Sequence, residues 1–199
     1  MSGLIVALEG LDQSGKQTQA DRLRERVLAT GRQARIFSFP EYDSPLGREL
    51  GLALRGSRDY GAELMQLLYV ANRYERKSDL ETARASGTIV ICDRYVASSV
   101  AYGEAQGLDG TWLRDIQLHL PVPDVTLLLD MPAAESARRK TANRDRYEQD
   151  IDLLDRVRQS YLTQAARDDW TVVDATQDRD AVATAIGRAM TPLLERLPT

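Results

Sequence analysis

The chain holds one cysteine, one histidine, two phenylalanines and two tryptophans in 199 residues, and each shortage removes a class of function. Cys92 alone closes no intrachain disulfide, so nothing in the sequence asks for an oxidising compartment. Cys92 and His119 together fall short of the ligands of a closed zinc site. A histidine-based triad would have only His119 to use, and no motif surrounds it. Long apolar runs are absent as well. The longest are Leu4–Leu8, Ile89–Cys92 and Leu127–Leu129, against the ~20 residues of a membrane span. The first meets Glu9 at once and has no basic segment before it, so it does not read as a signal peptide. A basic excess is missing too: 26 Lys plus Arg face 30 Asp plus Glu, a formal charge of −4. That excludes the broad positive face of a non-specific nucleic-acid coat but leaves room for a local basic pocket. The expectation is a cytoplasmic protein with neither a membrane nor a nucleic-acid polymer as partner.

What is present is enough apolar material, 43% of residues, for one domain over 1–199 to bury its own core. Short apolar runs alternate with longer charged, periodic segments. Strands are expected at Leu4–Leu8, Ala34–Ser38, Thr88–Cys92, Val125–Leu129 and Trp170–Val173. Helices are expected at Lys16–Ala29, Leu46–Arg55, Val96–Gln106, Ala133–Lys140, Ile151–Ala166 and Ala181–Arg196, with one long helix over Tyr60–Ala85 ended by Gly87. Five strands separated by helices predict an α/β fold with a five-stranded parallel sheet covered on both faces.

Directly after the first strand and before a helix stands Gly10-Leu-Asp-Gln-Ser-Gly15-Lys16, a G-x-x-x-x-G-K phosphate loop in the setting that gives the motif its meaning. Its glycines let backbone N–H groups turn inward on a phosphate. The helix adds the positive end of its dipole and Lys16 a full charge. The next residue is Gln17 followed by Thr18, where the motif ordinarily places the hydroxyl that ligates Mg²⁺, so the metal ligands stay open.

Four further features bear on what receives the phosphate. Asp12, inside the loop, needs a cation, a water or an acceptor to orient. Arg94 in Asp93-Arg94-Tyr95 follows the third strand, at the sheet edge where open α/β folds bind ligands; the pair also suits a helix cap. Tyr69 and Arg73, four apart on one helix face, can stack a base and donate to its carbonyl edge. Arg138, Arg139, Lys140, Arg144 and Arg146 crowd into nine residues before Tyr147 and Glu148. This reads as a lid over about 138–150 that neutralises polyphosphate, or as a solvated helix end.

Glu9–Lys16, Phe39-Pro40-Glu41, Tyr69-Val-Ala-Asn-Arg73, Asp93-Arg94-Tyr95 with Ser98, Ser99 and Tyr102, Arg146-Tyr147-Glu148 and Val173–Gln177 follow one another in an order that resembles the thymidylate kinase family over nearly the whole chain. The resemblance implies a nucleoside monophosphate kinase fold of the P-loop type with a short lid. It also implies ATP-dependent phosphorylation of dTMP to dTDP with Mg²⁺, and a homodimer. Carried over by position, Gly10, Gln13, Ser14, Gly15, Lys16, Gln17, Thr18 and Arg139 bind ATP, the arginine lying against adenine. Asp12, Phe39, Tyr69, Arg73, Arg94, Ser98, Ser99, Tyr102 and Tyr147 hold dTMP. Within that set Arg94 bridges the two phosphate chains, Arg73 reads a thymine carbonyl, and Tyr102 crowds the sugar's 2′ position.

Two departures from the family pattern shape the mechanism. Tyr42 stands where some relatives have a phosphate-binding arginine, a contact that could pass to Arg48. Gln13 replaces a catalytic loop arginine, so the charge is expected from lid residues Arg144 or Arg146. The catalytic set is then Lys16, Arg94, Asp12, Arg144 and Arg146, with Lys16 and Arg94 facing solvent-filled clefts. No general base is needed, because an acceptor phosphate is already ionised at neutral pH. Two rivals remain. A deoxynucleoside kinase would phosphorylate thymidine itself. A nucleotide-gated interaction protein would bind or hydrolyse ATP without transferring phosphate to a monophosphate.

Overall fold

The computed structural model describes residues 3–139, 147 and 150–197. Strands β1 (Ile5–Glu9), β2 (Ala34–Ser38), β3 (Ile89–Asp93), β4 (Val125–Asp130) and β5 (Thr171–Asp174) form one parallel sheet in the order β2-β3-β1-β4-β5. Side-chain alternation along the strands divides the core. Val6, Leu8, Ile89, Ile91, Leu127 and Leu129 face one side, against α1 (Lys16–Leu28) and α9 (Arg179–Glu195). Ile5, Ala7, Val90 and Cys92 face the other, against Leu80 and Ala83 of α4 (Lys77–Ala85). On that same side Leu128 meets α5 (Val96–Ala105) and α8 (Ile151–Arg167). No helix among the described residues is long and apolar enough to cross a membrane.

Pairing of β1 with β3, Leu8 opposite Asp93, brings the loops that follow these two strands out side by side at the carboxyl edge of the sheet. The helices they lead into, α1 and α5, lie on opposite faces, so a crevice opens between them. Two helices complete the crevice wall. They are α2 (Pro45–Leu54), capped by the Ser44 hydroxyl accepting from Gly47 N–H, and α3 (Ala62–Glu75). The remaining helices are α6 (Gly110–Asp115) and α7 (Ala133–Arg139).

The structure departs from the sequence pattern twice. Tyr60–Ala85 is not one helix: α3 and α4 part at Arg76, where φ is −105° and ψ 1°. No glycine or proline marks the break. It comes from tertiary demand. The Arg76 guanidinium sits 5.7 Å from the Phe37 ring centroid, and α4 turns to bury Leu80 and Ala83 against β3 while α3 serves the crevice. Helix α6 had no counterpart in the sequence reading, although Asp109 caps it through Thr111 N–H at 2.8 Å and Leu113 is its only buried residue.

A cis peptide joins Phe39 to Pro40 after β2. The backbone of this loop lies directly on α2: a Cβ placed on Gly47 would stand 1.7 Å from the Glu41 carbonyl oxygen. Gly51, one turn further on, would meet only the mobile end of Arg55 at 3.2 Å and the Tyr42 ring at 3.5 Å. Gly47→Ala is therefore expected to destabilise the fold by ~1–3 kcal/mol through overpacking. Gly51→Ala should match or exceed the wild type, since alanine gains about 1 kcal/mol over glycine in a helix interior. Thermal melting of both variants checks the contrast.

Candidate active site

The loop between β1 and α1 is shaped by backbone constraints. Gly10 has φ +140° and its α-carbon faces the Leu129 carbonyl, which a Cβ would approach to 2.4 Å. Gln13 is left-handed at φ +61°, and Gly15, the N-cap of α1, has φ +90°. Lys16 folds back under the loop, its Nζ donating to the Leu11 carbonyl at 2.8 Å. It is buried rather than facing an open cleft, which corrects the sequence expectation. Burial, helped by Arg94, pushes its ammonium down from the usual 10.5 to about 8, against the pull of Asp12, Asp93 and Glu9.

Arg94 does face the crevice, as expected, with 14% of its side chain exposed. It adopts φ +63° immediately after β3, a left-handed conformation that only specific surroundings sustain in an arginine. Its N–H groups donate to Asp12 at 2.7 Å, to the Gly10 carbonyl at 3.1 Å, and to the Ser98 and Tyr161 hydroxyls at 3.3 Å each. Burial works against its charge, but Asp12 more than restores it. Asp12 in turn accepts from Tyr102 at 3.0 Å. Burial would raise its carboxyl, yet Arg94 and Lys16 outweigh that and hold it well below the usual carboxylate range. Beneath this pair lies Glu9, fully buried, accepting from Tyr95 N–H (2.8 Å), the Ser98 hydroxyl (2.6 Å) and the Tyr161 hydroxyl (3.2 Å). Ser98 thus works as a hub below Arg94.

Arg73 reaches from α3 into the same crevice, 2% exposed, and donates to the Ser99 hydroxyl of α5 at 2.7 Å. Burial depresses its pKa, with Glu9 and neighbouring tyrosines opposing. Asn72, next to it, holds the loop after β2: its amide oxygen accepts from Glu41 N–H at 2.8 Å and its NH₂ donates to Ser44 at 2.8 Å. Phe39 and Tyr95 rings pack at 5.8 Å, and Tyr102 and Tyr147 meet edge-on at 5.7 Å.

These contacts border a cleft that, counted together with the solvent it opens to, spans about 480 Å³. Asp12, Phe39, Tyr69, Arg73, Arg94, Ser98, Ser99, Tyr102 and Tyr147 all line it, every residue the sequence reading assigned to the acceptor. Pro40, Tyr42, Leu54 and Gln66 join them, none of which it assigned there. The signal for Tyr42 was its place after Phe39-Pro40-Glu41. Gln66 lies seven residues before Arg73, on the same helix face. Arg48 does not line this cleft; it donates to the Asp43 carbonyl at the surface. Across the phosphate loop a broader groove of about 1350 Å³ is lined by Gln13, Ser14, Gly15, Thr18 and Arg139 and by Ala175, Gln177 and Asp178. Arg139 spans it, donating to the Gln13 and Ala175 carbonyls at 3.3 and 3.0 Å. Gln17 is exposed and outside the groove lining. The Ser136 hydroxyl donates to the Asp12 carbonyl at 2.7 Å and so ties α7 to the loop. Arg138 is solvated, paired with Glu135. Arg144 and Arg146 lie outside the described residues, as does most of the expected lid. His119 is exposed on the surface.

Among the described residues no group of three or more His, Cys, Asp or Glu side chains is placed to hold a metal. The carboxylates whose charge acts on Lys16 are Asp12, Asp93 and Glu9, and the Ser14 hydroxyl of the same loop is buried with no partner among the described residues. This sparse, oxygen-only set suits a hard divalent cation that arrives on phosphate oxygens and keeps much of its water, rather than a resident ion in a protein cage.

A phosphate loop with a recess on either side, Arg94 lining one and Arg139 the other, suits a phosphotransferase with two nucleotide substrates, and comparison with known proteins agrees. The family model described as thymidylate kinase matches residues 8–186. The probable thymidylate kinase of Pyrococcus abyssi is 41% identical over 172 residues, 81% of this chain and 82% of the relative. That of Desulforudis audaxviator is 36% identical across 100% of this chain and 95% of its own. The human thymidylate kinase is 31% identical over 90% of this chain and 86% of its own. The solved thymidylate kinase of Candida albicans superposes with a TM-score of 0.83 at 28% identity, covering 100% of this chain and 96% of that one. The chain belongs to the thymidylate kinase family.

Proposed function

We propose that the chain carries out the reaction of its family, ATP-dependent phosphorylation of dTMP to dTDP, with the 480 Å³ cleft as the dTMP side and the groove at Arg139 as the ATP side. The supporting observation is the convergence of Asp12, Tyr69, Arg73, Arg94, Ser99 and Tyr102, from four separate segments, on one recess beside Lys16. In this reading Tyr69 stacks the base, Arg73 donates to a base carbonyl, and Tyr102, hydrogen-bonded to Asp12, fills the space a 2′-hydroxyl would need. In this reading Arg94, which lines the cleft and donates to the Gly10 carbonyl of the phosphate loop, bridges the two phosphate chains. In-line phosphoryl transfer asks for positioning and charge dispersal more than covalent chemistry. Fixed cations supply both here, and no side chain has to remove a proton from the ionised acceptor.

Mg²⁺ is the metal this reading implies: Ser14 and Asp93 are the residues that would help hold it with the ATP phosphates, where it would withdraw charge from the transferred group. Gln13 brings no charge to the loop, so the reading assigns that cation to Arg144 or Arg146, which follow α7 in the sequence. A homodimer accords with Leu64 and Leu67, two exposed apolar residues three apart on α3. A cytoplasmic setting accords with a single buried cysteine, whose thiol burial pushes up and out of reactive range.

Coupled assays with ATP–Mg²⁺ are expected to show turnover of dTMP and none of thymidine; turnover of thymidine alone would transfer the chain to the deoxynucleoside kinases. Arg73→Ala should raise KM for dTMP about tenfold or more, as loss of a charged hydrogen bond does, and leave KM for ATP within about twofold. The pH profile follows from Lys16. In the free enzyme its pKa is lowered to about 8, so the ammonium is charged below that pH and lost above it. Hence kcat/KM for ATP should fall as pH rises through about 8. At saturation kcat should hold to higher pH, because bound phosphates favour the charged form. Lys16→Arg, slower throughout, should lose this alkaline limb; a limb unchanged in that variant would assign it elsewhere.

A further inference from the structure

Gln66 is the residue of the acceptor cleft, among the described residues, whose side chain is left with every polar atom unmade. It is completely buried, it lines the cleft, and neither its amide oxygen nor its amide nitrogen has a hydrogen-bond partner among the described residues. Leaving both ends of a buried amide unmade is costly, and a leucine or methionine of similar size would fill the space without that cost. An orphaned amide on the wall of a binding cleft is explained if its partner arrives with the ligand.

The helix places it suitably. Gln66, Tyr69 and Arg73 occupy positions i, i+3 and i+7 of α3 and share one face, with Tyr69 between the two polar groups. A base lying over Tyr69 would have Arg73 toward one side and Gln66 toward the other. Their chemistries are complementary. A guanidinium carries only donors, so Arg73 can serve a carbonyl but cannot accept an N–H. The edge of a pyrimidine-2,4-dione alternates acceptor, donor, acceptor: O2, N3–H, O4. A carboxamide offers an acceptor and a donor in one plane, so Gln66 can take N3–H on Oε1 while Nε2 donates to the adjoining carbonyl.

We propose that Gln66 is a specificity residue for the acceptor base: its amide pairs with the N3–H and one carbonyl of a pyrimidine-2,4-dione, completing a readout that Arg73 alone cannot make. The proposal rests on the assignment of this cleft to dTMP. Together the two side chains distinguish a dione from cytosine. With Arg73 on O4 and Gln66 on N3–H and O2, cytosine in the same pose would set its 4-amino donor against the guanidinium, and turning the amide over to serve N3 would set Oε1 against O2, acceptor against acceptor.

Gln66→Leu tests this, with Gln66→Met as a second variant in case the branched side chain does not fit. Because the amide is unpaired in the free protein, the variant is expected to melt no lower than wild type. KM for dTMP should rise about tenfold, the usual effect of one lost buried hydrogen bond, while KM for ATP stays within about twofold. A merely structural glutamine would not respond to the ligand's own edge. The 3-deaza analogue of dTMP, carrying C–H in place of N3–H, should therefore have a KM about tenfold above that of dTMP in the wild type and less than about threefold above it in the variant. A KM for dTMP within about twofold of wild type in whichever folded variant is obtained would overturn the proposal. So would a lowered melting temperature with unchanged KM, or an equal loss on the 3-deaza analogue with and without the glutamine. Failure of the underlying assignment would look different, since the wild type would then not turn over dTMP at all.

Discussion

The contact between Arg94 and Asp12, 2.7 Å long and largely shielded from water, joins the end of β3 to the phosphate loop after β1 and sets the geometry on which the rest of the site depends. Each partner alone would be an expensive charge to bury; together they fix each other's ionisation, the carboxyl held low and the guanidinium held charged. The left-handed backbone at Arg94 and the glycine-dependent turn at Gly10 are the local strains this arrangement sustains. Glu9, Ser98 and Tyr161 form the floor beneath it, so β1, α5 and α8 all help keep one guanidinium in place. Preorganisation of this kind lets cations meet developing charge without reorganising at the moment of transfer.

The division of labour follows from the sheet order. Because β1 and β3 are neighbours, the donor loop and the acceptor-side arginine emerge together, and helices on opposite faces carry the two nucleotide recesses apart. On the side proposed for the acceptor, α3 brings Arg73 into the cleft and uses Asn72, one position earlier, to fasten the loop after β2. On the donor side Arg139 links the phosphate loop to the turn after β5, while Ser136 anchors the same helix to Asp12. Helix α7 is thereby attached directly to the phosphate loop.

The sheet was legible because its five strands are short apolar runs bounded by turn residues, and each strand was placed to within a residue or so of its observed span. The phosphate loop was legible because three backbone constraints, at Gly10, Gly15 and the start of α1, leave a fixed spacing in the chain. The nine acceptor-side residues came from the ordered motifs of a family resemblance, and they do meet in one cleft. What stayed hidden was set by tertiary packing. The break at Arg76 has no glycine or proline to announce it, and Phe37, which it covers, is 39 positions away. The burial of Lys16 depends on the loop folding over it, and the setting of Arg94 on partners as distant as Tyr161. Gln66 is one polar residue in an otherwise ordinary amphipathic helix, and only its burial without a partner sets it apart.

If one fixed guanidinium offsets the repulsion between two phosphate chains, the affinities of the two nucleotides must be coupled through it. The most direct measurement is the Kd of dTMP with and without a saturating non-hydrolysable ATP–Mg²⁺ analogue, in the wild type and in Arg94→Met. The wild type should bind dTMP about equally well in both conditions, and the variant should bind it at least about tenfold more weakly once the ATP analogue is present. A variant whose dTMP affinity is unaffected by the ATP analogue would contradict the account.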